Sequence, residues 1–116
     1  MLRLSYLLFL ALLLPAILIA QPPGQITFVS SREGQFNKIW VMNANGSAQT
    51  QLSFGAGNET DPAWSPDGEH IVFVSNPVPG SDGTYIALLD RRGGVPRNIT
   101  AEPGAYRHPQ FSSDGR

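Results

Sequence analysis

Serine nucleophiles need a base and an orienting carboxylate, and the 116 residues hold such groups: several serines, several aspartates, and the histidines His70 and His108. The sequence context that would assemble them is absent. No Gly-x-Ser-x-Gly elbow occurs, and no helical segment is available to carry one. Ser65 and Asp67 fall inside Ser65-Pro66-Asp67-Gly68, and His70 opens an apolar run, so a turn and a strand start are expected rather than catalysis. The two histidines lie 38 positions apart, which is no metal-ligand spacing. Asn43-x-Asn45-Gly46 has part of a calcium-loop pattern, but the twelfth position from Asn43 is Phe54, where a Glu is required. A hairpin turn is expected there. Zero cysteines exclude disulfides, thiolate zinc sites, cysteine nucleophiles and a lipid-modified N-terminal Cys. No catalytic, cofactor-binding or metal residues are therefore assigned.

The remaining candidates are recognition groups. Trp40 and Trp64 would suit ligand stacking, but packing between structural units is expected of both. Asp61 would suit a pocket acid, and a turn-anchoring carboxylate bonding local backbone amides is expected instead. Arg91, Arg92, Arg97 and Arg107 form a basic cluster read as a solvated loop, with an acidic partner as the alternative. A net charge of −1 without a basic stripe argues against nucleic acid. Asn45-Gly46-Ser47, Asn58-Glu59-Thr60 and Asn98-Ile99-Thr100 match the glycan acceptor pattern, which matters only in a eukaryotic source.

Composition divides the chain near residue 20. Met1 to Tyr6 carries one charge, Arg3, and Leu7 to Ala20 is an uninterrupted apolar stretch ending in a small residue. This is the layout of a secretory signal peptide. A spanning helix wants about 20 apolar residues, and Pro15 would weaken one. Hence residues 1–20 are expected to be a cleaved leader, with no stable membrane span left after cleavage, and residues 21–25 a linker. Beyond residue 20 lie all twelve glycines and nine of the ten prolines, the signature of turn-rich β structure.

Within that part the sequence repeats. Ile26-Thr27-Phe28-Val29-Ser30 recurs as Ile71-Val72-Phe73-Val74-Ser75 at an offset of 45. Ile39-Trp40-Val41-Met42-Asn43 recurs as Ile86-Ala87-Leu88-Leu89-Asp90 at 47, and Gln51-Leu52-Ser53 as Asn98-Ile99-Thr100. Asp61-Pro62-Ala63-Trp64-Ser65-Pro66-Asp67-Gly68 recurs as His108-Pro109-Gln110-Phe111-Ser112-Ser113-Asp114-Gly115, again at 47. The second copy departs from the first at His108, Ser113, Phe111 and Ala87. The offset changes between Ser75 and Tyr85, where prolines and glycines mark a loop. Runs 39–42, 71–74 and 86–89 are apolar on both alternating faces, so both faces should be covered. Asn45-Gly46 and Gly93-Gly94 mark equivalent chain reversals. Short antiparallel strands at this period, covered on both faces, call for radially stacked sheets.

The Asp-Pro-Ala-Trp-Ser-Pro-Asp-Gly segment with Ile71 to Ser75, and Ile39 to Gly46, resemble the WD-like repeat of the TolB C-terminal propeller. Similar repeats occur in the propellers of prolyl-oligopeptidase-type enzymes. The resemblance covers about 26–115 and implies an all-β fold, a β-propeller fragment over 26–116 of about two blades of four antiparallel strands. In the strand order it implies, 26–53 supplies the outer three strands of one blade, 61–100 a complete blade, and 107–116 the start of the next. A closed propeller of four to eight blades needs roughly 180 to 360 residues, so a truncated chain is expected. The resemblance further implies a non-catalytic, exported protein-interaction module, periplasmic or extracellular, with a protein partner linked to the cell envelope, as in the Tol-Pal system. The alternative is the N-terminal propeller part of an exported serine peptidase whose catalytic domain lies outside this sequence.

Overall fold

The computed structural model describes residues 24–116. The predicted leader, and all of the predicted linker except Gly24 and Gln25, lie outside the described residues. Seven strands form two antiparallel sheets, with no helix among the described residues. Sheet one contains β1 (Gln25–Ser30), β2 (Lys38–Asn43) and β3 (Thr50–Gln51), in that order. Sheet two contains β4 (Asn58–Trp64), β5 (His70–Asn76), β6 (Tyr85–Asp90) and β7 (Gly93–Asn98), again in chain order. Gln25, read from sequence as linker, instead pairs with Asn43 and begins β1. The ladder runs as far as its partner strand β2 does.

The repeat fixes matching registers. Ile26 pairs with Met42, Phe28 with Trp40 and Val29 with Ile39. In sheet two the same rungs are Ile71 with Leu89, Phe73 with Ala87 and Val74 with Ile86. Next, Trp40–Gln51 and Val41–Thr50 correspond to Ala87–Asn98 and Leu88–Arg97. Seven residues separate Ser30 from Lys38 and nine separate Ser75 from Tyr85, so the change of offset is absorbed in a hairpin loop. Every side chain keeps its face as a result, since a slip of one residue would turn the strand over.

Alternation sends Ile39 and Val41 from sheet one against Ile71, Phe73, Ala87 and Leu89 of sheet two. With Leu52 they form one buried cluster, and Val29 and Trp64 pack on it. Phe73, Ile39 and Ile71 are wholly inaccessible. Two apolar sheet faces thus remove each other from water, the main favourable term for so short a chain. The third unit begins beside the start of β6. Thr84 forms a bridge with Gly104, and its hydroxyl oxygen accepts from the Tyr106 amide at 2.9 Å.

Candidate functional site

The Ser65 turn comes first because it holds the residue types that chemistry would need. Gly68, at φ +73°, donates its amide to the Ser65 carbonyl at 2.9 Å. The Ser65 hydroxyl donates to Asp67 Oδ1 at 2.6 Å and accepts the His70 amide at 3.0 Å. Asp67 Oδ1 also accepts the Glu69 amide at 3.0 Å. Those bonds, the Ser65 hydroxyl above all and then the Glu69 amide, hold the Asp67 carboxyl below the usual carboxylate range. Ser112, Asp114 and Gly115 build the same cradle, and Asp114 is lowered by the Ser112 hydroxyl and the Arg116 amide. Ser65, Asp67 and His70 therefore meet in a turn in which the His70 backbone, not its imidazole, contacts the serine.

Asp61 corrects its sequence reading. Instead of bonding local amides, its Oδ2 accepts from the amide of His108, 47 residues on, at 3.1 Å, and lies 3.3 Å from His108 Nδ1. The cause is a bulge. Thr60 pairs with Val74 and Ala63 with Val72, so Asp61 and Pro62 both face Phe73. Pro62 has no N–H for the ladder, and Asp61 takes φ +53°, a left-handed backbone that Asp tolerates better than most residues. A bulge re-aims its side chain, here onto the next repeat, where His108 occupies the same position with φ +46°.

Trp40 is buried but stands apart from the core that the two sheets share. It lies on the face of sheet one turned away from sheet two, with Phe28 at 6.2 Å between ring centroids and the Arg32 guanidinium 4.4 Å above its ring. Arg32 is anchored there by Gln49 at 2.7 Å and Ser30 at 3.1 Å. Trp64 packs against the shared core. The Nε1 atoms of both tryptophans are buried without a hydrogen-bond partner among the described residues.

A polar staple that the repeat does not signal joins the sheets. Ser53 Oγ accepts the Ile39 amide at 2.8 Å and donates to Glu59 Oε1 at 2.7 Å, and both residues are buried. Lys38 Nζ stands 3.4 Å from Glu59 and donates to the Gly57 carbonyl at 2.7 Å. The lysine belongs to β2 and the glutamate to β4, so the pair crosses from one sheet to the other. Its repeat equivalents are Tyr85 and Tyr106; comparing those positions could have exposed the exception.

At one end of the sheet junction lies a cleft of about 430 Å³, with Gln25 and Asn43 on one side and Trp64, Asp67, Glu69 and Arg91 on the other. Arg91 Nε and Arg92 Nη1 reach Glu69 at 3.3 and 3.6 Å, and Arg92 Nε reaches Asp90 at 3.4 Å. The predicted basic cluster is thus partly neutralised by local acids. Both arginines form the β6–β7 hairpin tip, closed by Gly93 at φ +98°. Gly46, at φ +87°, closes the equivalent tip, where Ser47 donates to Asn45 Oδ1. Among the described residues no three of His, Cys, Asp and Glu cluster as a metal site would require. The cleft offers amide, carboxylate and guanidinium groups beside an aromatic wall on rigid turns, suited to recognising a polar surface.

Comparison with known proteins adds four findings. The TolB beta propeller domain family matches residues 20–116. A solved structure from Agrobacterium tumefaciens that carries the TolB name superposes with a TM-score of 0.66 at 29% identity, over 78% of this chain and 35% of that one. Among curated proteins, the uncharacterised peptidase YuxL of Bacillus subtilis is 27% identical over 84 residues, 72% of this chain and 12% of its own. An uncharacterised Agrobacterium fabrum protein is 31% identical over 103 residues, 81% of this chain and 35% of its own. The chain thus spans about an eighth to a third of the length of these curated relatives.

Proposed function

This chain belongs to the TolB β-propeller domain family, and on that premise we propose that it serves as a non-catalytic, exported protein-interaction module. One observation carries the reading. The side chains with reactive chemistry are engaged in building turns and joining repeats, as with Ser65 on Asp67 and Asp61 on His108. The cleft at the sheet junction, by contrast, displays Glu69, Arg91 and Gln25 on the scaffold. The partner is a protein of the cell envelope, in a Tol-Pal type process, and the location is periplasmic or extracellular once the leader is removed. Among the described residues no helix is long and apolar enough to cross a membrane.

The kinship with YuxL favours a second reading, a propeller serving a serine peptidase domain. Two measurements on the product of the whole reading frame separate them. A photo-crosslinking amino acid at Glu69 should trap one discrete envelope protein in cells, and a fluorophosphonate serine probe should leave the protein unlabelled. Probe labelling at an activated serine would move the assignment to the peptidase. An absence of adducts at every cleft position would count against the interaction module.

A further inference from the structure

We propose that Asn45 is a modification site: in the folded protein its side-chain amide is converted to an acid through a cyclic imide formed with the Gly46 nitrogen.

That chemistry has two requirements, a backbone nitrogen free to approach the Asn side chain and donors that take up the charge developing on its oxygen. Six asparagines occur in the sequence, and Asn45 alone is followed by glycine. Asn76 precedes Pro77, whose nitrogen has no hydrogen to lose. Asn98 precedes the β-branched Ile99, and Asn37, Asn43 and Asn58 precede Lys38, Ala44 and Glu59, so a Cβ crowds each approach. Position 46 holds glycine for a structural reason, a φ of +87° at the tip of the β2–β3 hairpin. The turn thus installs the labile dipeptide as it joins the strands.

Ser47 meets the second requirement. Its amide donates to Asn45 Oδ1 at 3.0 Å and its hydroxyl donates to the same oxygen at 2.6 Å. The hydroxyl oxygen in turn accepts from Asn43 Nδ2 at 3.1 Å. The ring closed by the Ser47 amide contains both Asn45 Cγ and the Gly46 nitrogen, so the reacting atoms are tethered on one turn. Asn45 is exposed, which supplies water. One bond acts as a brake. Gly46 donates its amide to the Asn43 carbonyl at 2.8 Å, so attack follows the opening of that bond, a local event at a hairpin tip.

In the reaction the Gly46 nitrogen gives its proton to water and bonds to Asn45 Cγ, and the carbonyl electron pair passes to Oδ1, where the two Ser47 donors stabilise it. Return of that pair breaks the Cγ–Nδ2 bond, and ammonia leaves with a proton returned by water. A water molecule then opens the imide at either carbonyl, giving Asp at position 45 or an isoaspartyl linkage that carries Cβ in the main chain. The Asp product keeps both Ser47 bonds, as Asp67 keeps those of Ser65 and Glu69. The isoaspartyl product lengthens the chain between Asn43 and Ser47 and breaks their pairing. Either product adds a negative charge close to Asn43, a wall of the cleft.

The product of the whole reading frame, folded or unfolded in urea, is incubated in mildly alkaline buffer, and each asparagine is read by proteolysis and mass spectrometry. The expected result is conversion at Asn45 in the folded protein, with isoaspartate beside aspartate, while the other asparagines stay intact. Ser47→Ala, first shown by circular dichroism to keep the parent β spectrum, should slow the folded reaction about threefold and leave the reaction in urea unchanged; the lost hydroxyl is exposed, so the effect is smaller than the roughly hundredfold of an enclosed oxyanion site. Conversion of Asn45 in urea but not in the folded protein would overturn the proposal, as would conversion spread evenly over the asparagines. A Ser47→Ala effect that is absent, or equal in both states, would overturn the role of the Ser47 hydroxyl.

Discussion

Glu59 keeps its carboxylate almost wholly out of water, at 3% exposure, against Lys38 and the Ser53 hydroxyl. Removing one partner of such a pair strands the other charge, which typically costs about 3–5 kcal/mol. Lys38→Met should therefore lower unfolding free energy in urea by about that amount. Lys38→Tyr with Glu59→Tyr, the pair that stands at the equivalent positions of the second repeat, should recover at least half of it. Asp67 behaves differently because it is exposed. Its pKa is depressed by the Ser65 hydroxyl and then the Glu69 amide, so its contribution is full above the ordinary carboxylate range and fades as pH falls through the folded-state pKa. The stability gap between the parent and Asp67→Asn should accordingly be largest near neutrality and close in acid, as urea titrations at several pH values would show. Trp64→Phe should be mild, under about 2 kcal/mol, since it removes a buried donor without a partner and installs the residue found at position 111. The turn role of Ser65 and Asp67 was legible in residue types alone, because that chemistry is local. The Lys38–Glu59 staple was not, because it depends on how two sheets meet.

At the scale of elements, positive φ marks the places where strands must turn or bulge. A Cβ on Gly93 would meet Leu52 only at ordinary contact distances, 3.7 and 3.9 Å. The cost of Gly93→Ala is thus conformational, about 1–2 kcal/mol at φ +98°. Gly57→Ala should be worse, because its Cβ would collide with the Asn76 carbonyl and push β4 from β5. Thermal melts of the two variants would rank them. Asp61→Gly should be better tolerated than Asp61→Ala, since glycine keeps the left-handed bulge while both lose the bond to His108. Strands, hairpins and their registers were readable because a period of two and a repeat offset constrain them together. The bulge was missed although Pro62 was its visible sign. Local amides looked like the natural partners of Asp61, and its reach to His108 emerges only when successive repeats stand side by side. The face that Trp40 takes was not readable for a related reason: the repeat shows which positions correspond, but not which face of sheet one meets sheet two.

At the scale of the molecule, stability rests on two sheets shielding one another, and the family match over residues 20–116 spans both of them. The cluster joining Ile39, Val41 and Leu52 to Ile71, Phe73, Ala87 and Leu89 ties the two repeats into one apolar core, beside the polar Lys38–Glu59 staple. Phe73→Ala should illustrate its weight, with a loss of about 3–5 kcal/mol and collapse of both sheets together rather than of sheet two alone. The most direct measurement is nuclear Overhauser spectroscopy of the methyl-labelled chain. The expected result is cross-peaks from the Phe73 ring to the methyls of Ile39 and Val41, together with the Val29–Ile39 and Val74–Ile86 cross-strand contacts in one set of signals. Intact hairpin contacts within each sheet, but none between Phe73 and sheet one, would contradict the stacked-repeat structure.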